Sequence, residues 1–289
     1  FGVAHQHDLP LAPLMLKADG GEPGNHYWLC AEPVQLRVDR NRLIVTARIS
    51  DYSAGEVDEL LTAFNEHFRA DGIEVCAPTP LRWYLRAKSV PALVTVPLTQ
   101  ALNRSVRHHL PDDADALAWH RVANEAQMIL HTHPVNAARE ARGGPVANSL
   151  WLWGGGTLPA ISARPFANTW GGGHLTRALS AAAGIAHHEL ATGAEAWLAA
   201  KPDGDALIVV DAAANALQHS DITQWRAELT SLDARWIKPL MDAVRGKRIE
   251  KLAIVACNTD NLLDVAVSRT GMRRFWRRAR PLAGYAAHG

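Results

Sequence analysis

The sequence predicts a mixed α/β protein in two parts, a small α+β unit followed by an α/β core. Three observations predict it. Leu207-Ile208-Val209-Val210 and Leu252-Ala253-Ile254-Val255 are short unbroken apolar runs, the pattern of strands buried on both faces of a parallel sheet. Between them Trp225, Leu229, Leu232, Trp236 and Leu240 recur at helical spacing and mark the inner stripe of a long amphipathic helix. Strand, helix and strand at this length make a βαβ crossover. Upstream, alternating apolar residues and a capped helix at Ser53 describe the smaller unit.

Residues Phe1 to Asn25 are rich in Pro, His and Gly without a clean period and read as a loose lead-in. Val34, Leu36 and Val38 alternate, Asp39-Arg40-Asn41 supplies turn residues, and Leu43-Ile44-Val45 resumes the apolar run, a β-hairpin. Ser53 followed by Glu56 is a capping box. Behind it Val57, Leu60, Leu61, Phe64 and Phe68 keep helical spacing until Gly72 stops the helix. Strand-like pieces at Ile73 to Cys76 and Arg82 to Arg86 complete the unit. A second helix is predicted from about Asp113 to Leu130, with Asp112, Asp113 and Asp115 suiting its positive end.

Composition bounds the function. At 289 residues, 48% hydrophobic and 20% charged, the chain has material for about two globular domains. Thirty basic residues against 29 acidic ones give a net charge of +1, so no global field draws it to nucleic acid or membrane. Cys30, Cys76 and Cys257 form no CxxC pair, which argues against a disulfide framework or thiolate metal site and fits a reducing cytoplasm. The sequence has no long apolar span and no charged-then-apolar leader. It begins at Phe1 rather than Met, which leaves room for an upstream piece.

The stretch from Asn124 to Gly156 carries the functional signal. It passes from a helix through His133-Pro134-Val135-Asn136 and a basic segment into Trp151-Leu152-Trp153 and three glycines. Asn136, Arg139, Arg142 and Asn148 are hydrogen-bond donors suited to an anion, and Gly154, Gly155 and Gly156 let backbone N–H groups approach one closely. The competing reading is a buried strand followed by a turn. On a strand, Arg82, Tyr84 and Arg86 share one face, and two arginines there suit bidentate capture of a phosphate or carboxylate; a solvated face over a buried Trp83 is the alternative. His131 with His133, His187-His188-Glu189, and His219 with Asp221 each fall short of a full metal-ligand set and read as surface or hydrogen-bonded side chains. Arg269, Arg273, Arg274, Arg277, Arg278 and Arg280 interleave with Met272, Phe275, Trp276 and Ala279, which suits a docked amphipathic helix better than a nucleic-acid patch.

The HPVN turn and the run NSLWLWGGG, preceded by Asn124-Glu125, resemble a segment of archaeal-type cofactor-independent phosphoglycerate mutases. Together with APTPLRWYLR from Ala77 to Arg86, they are similar to a proteobacterial branch labelled regulatory protein RpfE, over roughly residues 25 to 289. The resemblance implies an alkaline-phosphatase-like α/β core with a smaller α+β inserted domain: 1–25 a lead-in or remnant of the core, 26–135 the inserted domain, 136–289 the core. In the mutases it implies two divalent metal ions, Mn or Zn, and a transiently phosphorylated serine. Several positions depart from that pattern. The metal aspartate falls on Ala214 or Asn215, the metal histidine on Gln218 or His219, and an expected Asp-His pair on Cys257-Asn258. The first metal aspartate and the serine have no counterpart near Phe1.

Three readings follow. One is a catalytically degenerate mutase-like protein that binds a phosphorylated metabolite or phosphate in a regulatory role, without a cofactor of its own. Its ligand residues are Arg82, Arg86, His133, Asn136, Arg139, Asn148, Trp153 and Gly154 to Gly156. The second is an active metal-dependent phosphoglycerate mutase or phosphohydrolase whose ligands come from elsewhere. The third is a protein-interaction module without a ligand.

Overall fold

The computed structural model describes residues 1–40, 42–88, 94–106, 116–218, 221–257 and 262–273. It is a mixture of helices and sheets in two compact units, 1–188 with 204–209 and 218–220, and 189–203 with 210–217 and 221–289.

The first unit opens with α1 (Leu11–Ala18). In place of a loose lead-in, Ala12, Leu14, Met15 and Leu16 are buried. An eight-residue helix covered on several sides shows no polar face, so no period betrays it. The centre of the unit is β1 (Tyr27–Asp39), whose first eight residues are all buried. It forms the expected hairpin with β2 (Arg42–Arg48). Next come α2 (Ala54–Phe68), β3 (Glu74–Thr79), β4 (Arg82–Ala87) and the short α3 (Leu98–Ala101). They are followed by α4 (Ala116–Thr132), α5 (Pro134–Ala141) and β5 (Ser149–Gly156). The five strands make one antiparallel sheet, with β1 between β5 on one edge and β4 and β2 on the other.

Alternation along the strands sends side chains to two cores. Leu29, Ala31, Trp83 and Leu85 pack with Leu60, Phe64 and Phe68 of α2 and Ala126 and Leu130 of α4. Trp28, Cys30, Tyr84, Trp151 and Trp153 pack with Ala12, Met15 and Leu16 of α1 and Leu98 and Ala101 of α3. The capping box is formed: Ser53 Oγ accepts from the Glu56 N–H and the Glu56 carboxylate accepts from the Ser53 N–H. Gly72 stands at φ +69 after the helix, as a left-handed stop requires. The predicted start of the second helix at Asp112, Asp113 and Asp115 lies outside the described residues. The boundary suggested at 135/136 lies in the first turn of α5, and β5 beyond it pairs with β1 of the same unit.

A parallel three-stranded sheet in the order β7-β6-β8 completes the unit, from β6 (Asn168–Gly171), β7 (Ala186–His188) and β8 (Ala206–Val209). The helix α6 (His174–Ala183), closed by Gly184 at φ 64, carries the chain from β6 to β7. This βαβ unit was hidden because its strands are only four and three residues long.

The expected crossover from Leu207–Val210 to Leu252–Val255 does not form. Strand β8 joins the parallel sheet in the first unit, whereas β9 (Lys251–Cys257) pairs antiparallel with β10 (Leu262–Ser268) in the second. Lys251, Ala253 and Val255 are exposed, so β9 is not covered on both faces. The second unit also holds α7 (Ala194–Ala199), α8 (Ala212–Gln218), α9 (Ile222–Leu232), α10 (Lys238–Arg245) and α11 (Arg269–Met272). The long helix predicted over Trp225 to Leu240 is present but broken by a π-helical turn, Asp233–Ile237. Pro239 has no N–H to continue the regular ladder, and the wider turn lies just before it. Of its predicted stripe, Trp236 and Leu240 are buried and Leu229 is exposed. Arg274 and all that follows it in the basic C-terminal run lie outside the described residues.

Candidate functional site

Residues 133–144 are built around a corner between two helices. His133 caps α5, its Nδ1 accepting from the Val135 N–H at 3.2 Å, and Pro134 takes the first turn, where a missing N–H costs nothing. Asn136 is buried, and its Nδ2 donates to the carbonyls of Leu130 and Ala147, both at 2.8 Å. Its Oδ1 accepts from the Tyr52 hydroxyl at 2.9 Å, which in turn accepts from the Ala147 N–H at 3.0 Å. One amide thus ties α4, α5, the segment leading into β5 and the loop before α2 into one wall.

Against this wall an open cleft of about 700 Å³ is lined by Asp51, Tyr52, Ser53, Glu56, Arg139, Arg142 and Gly144. Arg139 is only 3% exposed. Its Nε donates to the Pro145 carbonyl at 2.8 Å, Nη1 to Glu56 at 3.2 Å, and Nη2 to the Asp51 carboxylate at 2.5 Å. The guanidinium also lies 4.4 Å over the Tyr52 ring, a cation–π contact. Arg142 differs. It is 55% exposed and reaches Glu56 with one nitrogen. Burial works against ionisation of Glu56, yet the Ser53 N–H, the Arg142 guanidinium and the nearby Arg139 outweigh it and hold its pKa at about 2. The cleft is therefore lined by two arginines and two carboxylates, with Arg142 the cation that faces solvent.

Of the ten sequence candidates, only Arg139 lines this cleft. Arg82 and Tyr84 converge instead on Asp19, with Arg82 Nε at 2.7 Å, the Tyr84 hydroxyl at 2.6 Å and His174 Nε2 at 3.3 Å. Burial opposes the Asp19 charge, but the bonds from Arg82 and Tyr84 prevail and hold its carboxyl below the usual range. Arg86 pairs with Glu74 across β3 and β4. Asn148 acts as a strand residue by proxy: its Oδ1 accepts from the Leu36 N–H at 2.7 Å and its Nδ2 donates to the Leu36 carbonyl at 2.8 Å. Trp153 is buried in the second core. The three glycines lie beneath the N-terminal segment, where a Cβ on Gly155 would strike the Tyr27 hydroxyl and one on Gly156 would strike Pro10. The Gly154 N–H donates to Thr95 Oγ1 at 2.8 Å and the Gly155 N–H to Asp8 at 3.3 Å.

Asp51 and Tyr52 were not singled out by sequence, and Ser53 with Glu56 was read only as a helix start. The signal available was Glu56 at N3, a position that leaves one carboxylate oxygen free for an arginine. A two-metal centre requires carboxylates and imidazoles to converge. Among the described residues no three His, Cys, Asp or Glu side chains do so, and the residues present do not fit one. His187 bonds Thr169, His188 stacks on Trp170 at 4.4 Å, and Asp221 caps α9, whereas His219 and Asn258 lie outside the described residues. No described helix is long and apolar enough to cross a membrane.

No family model matches the chain. A probable 2,3-bisphosphoglycerate-independent phosphoglycerate mutase of Geobacter sulfurreducens is 28% identical over 135 residues, 45% of this chain and 33% of that protein. The corresponding enzyme of Methanothrix thermoacetophila is 34% identical over 68 residues, 24% of this chain and 17% of its own. The chain thus spans a third or less of these two relatives. Among solved structures, the cofactor-independent phosphoglycerate mutase of Thermoplasma acidophilum aligns over 91% of this chain and 73% of its own, at 16% identity and a TM-score of 0.41. The chain is a distant and partial relative of cofactor-independent phosphoglycerate mutases.

Proposed function

We propose that this protein is a mutase-related, non-catalytic binding protein that holds a phosphorylated metabolite or phosphate in the Asp51–Arg142 cleft in a regulatory role. The observation that carries it is Arg142, a half-exposed guanidinium with a single carboxylate partner, set beside the buried Arg139. A phosphate entering the cleft meets the remaining Arg142 donors in the fork geometry that suits it. Arg139 positions the wall, and Arg82, Arg86, His133, Asn136, Asn148, Trp153 and the three glycines shape the surrounding unit. In this reading the fold is an alkaline-phosphatase-like core carrying an inserted α+β domain, and the protein works in the cytoplasm. Ala214 or Asn215 at the family's aspartate position and Cys257-Asn258 in place of its Asp-His pair support a binding role, whereas its histidine position falls on Gln218 or His219.

The similarity to proteins named as mutases favours a second reading, catalysis with Mn or Zn supplied to ligands outside the described residues. Titration calorimetry with inorganic phosphate and 3-phosphoglycerate, on the wild type and Arg142→Gln, tests the first. Saturable binding that the variant weakens roughly tenfold is expected. Binding that ignores Arg142, or none, removes the cleft reading. Conversion of 3- to 2-phosphoglycerate with added Mn would establish the second reading in its place.

A further inference from the structure

We propose that the tip of the β1–β2 hairpin is a docking arm for an extended, acidic segment of a partner protein, added as a strand to the β1 edge beyond Asn148. The arm stands apart from the rest of the sheet. Pairing of β1 with β4 ends at Cys30 and with β5 at Val34, and the Asn148 amide covers Leu36. On the β2 side, the segment around Ser105 bridges Ile44 and reaches no further toward the tip among the described residues. Because the N–H and C=O of Leu36 both face the Asn148 amide, those of Val38, two residues on, project from the same edge. No described strand pairs with that edge.

The side chains of the arm state what would fit. Val38 and Leu43 face one another across the strands and are 69% and 39% exposed, although nothing in folding demands an aliphatic pair in water. Arg37, Arg40 and Arg42 are exposed, and none has an ion-pair partner among the described residues. Asp39 is the single acidic residue between Arg37 and Leu43. In a chain of net charge +1 this is a local concentration of positive charge. Arg40 stands at φ 55, the left-handed conformation that a tight turn between the paired Asp39 and Arg42 requires. Arg104 adds a further exposed cation next to Ser105.

An added strand alternates its side chains, so acidic residues meet the arginines while aliphatic ones cover Val38 and Leu43. The arm carries no aromatic residue, the group that stacks bases or anchors at a lipid interface, and its aliphatic pair Val38 and Leu43 finds no partner on a phosphate backbone, which together favour a protein segment.

The test is fluorescence anisotropy of a labelled eight-residue peptide of alternating Glu and Val, with oligo-dT and equimolar phosphatidylserine/phosphatidylcholine vesicles as competitors. Two variants probe the two components: Arg37→Gln/Arg40→Gln/Arg42→Gln removes charge, and Val38→Pro removes an edge N–H that lies off the β1–β2 ladder. Both alter exposed residues, and thermal melting establishes that each stays folded. The expected result is peptide binding that each variant weakens roughly tenfold and that falls between about 50 and about 200 mM salt. Binding indifferent to Val38→Pro, tighter binding of oligo-dT or vesicles, or no peptide binding would each overturn the proposal.

Discussion

At Asn136 one buried amide serves three acceptors and donors of the protein's own chain. Replacing it with Ala leaves the Leu130 and Ala147 carbonyls and the Tyr52 hydroxyl each short of a partner away from water. Such losses cost about 1–3 kcal/mol apiece and do not add fully, so Asn136→Ala is expected to destabilise by roughly 2–4 kcal/mol in urea unfolding. A loss below about 1 kcal/mol would mean water replaces the amide. Glu56 offers a second test. Its pKa falls from the usual 4.5 to about 2 on folding, so the stability it contributes is present above 4.5 and is lost as pH falls toward 2. Glu56→Gln should therefore be less stable than wild type at neutral pH, with the difference closing across that interval. A gap that persists at pH about 2 would assign the effect to shape rather than charge. The identity of donors such as Asn136, Arg139 and Asn148 was legible in the sequence, but their acceptors were not. The Leu36 backbone that meets Asn148 lies 112 positions away, and no local pattern announces that pairing.

At the level of elements, legibility followed length and one-sidedness. The helix from Val57 to Phe68 was readable because one stripe packs on the sheet and the rest meets water, and its capping box fixes the start. The hairpin was readable because a turn separates two alternating runs. The short α1, the three-residue β7 and the four-residue β6 lack the length over which a period can be counted. Strand β9 misled for a different reason. An unbroken run such as Leu252 to Val255 tells of apolar character and not of its neighbours, and here one strand partner and a single covered face account for it. The HPVN turn has the same ambiguity. Its four residues are what a helix corner needs, with a cap, a proline at the first turn and an amide to close the previous helix, whether or not a ligand sits nearby.

Across the whole molecule, the units differ in how their sheets are protected. In the first, Trp28 to Cys30 of β1 have strands on both edges and a packed core on each face. Opening those amides requires breaking several elements at once, which places them near the global unfolding free energy. In the second, β9 and β10 form a two-stranded ribbon whose face from Lys251 through Ala253, Val255 and Cys257 is exposed, as are Leu262, Asp264 and Ala266 opposite. A ribbon of that kind is marginal alone. Native-state hydrogen exchange should find the Trp28 to Cys30 amides exchanging only through global unfolding, and β9–β10 amides exchanging through local opening that denaturant barely accelerates. Equal protection and equal denaturant dependence in both would mean that the exposed face of the ribbon is covered in solution, and a second copy or a further part of the protein would then be the first place to look.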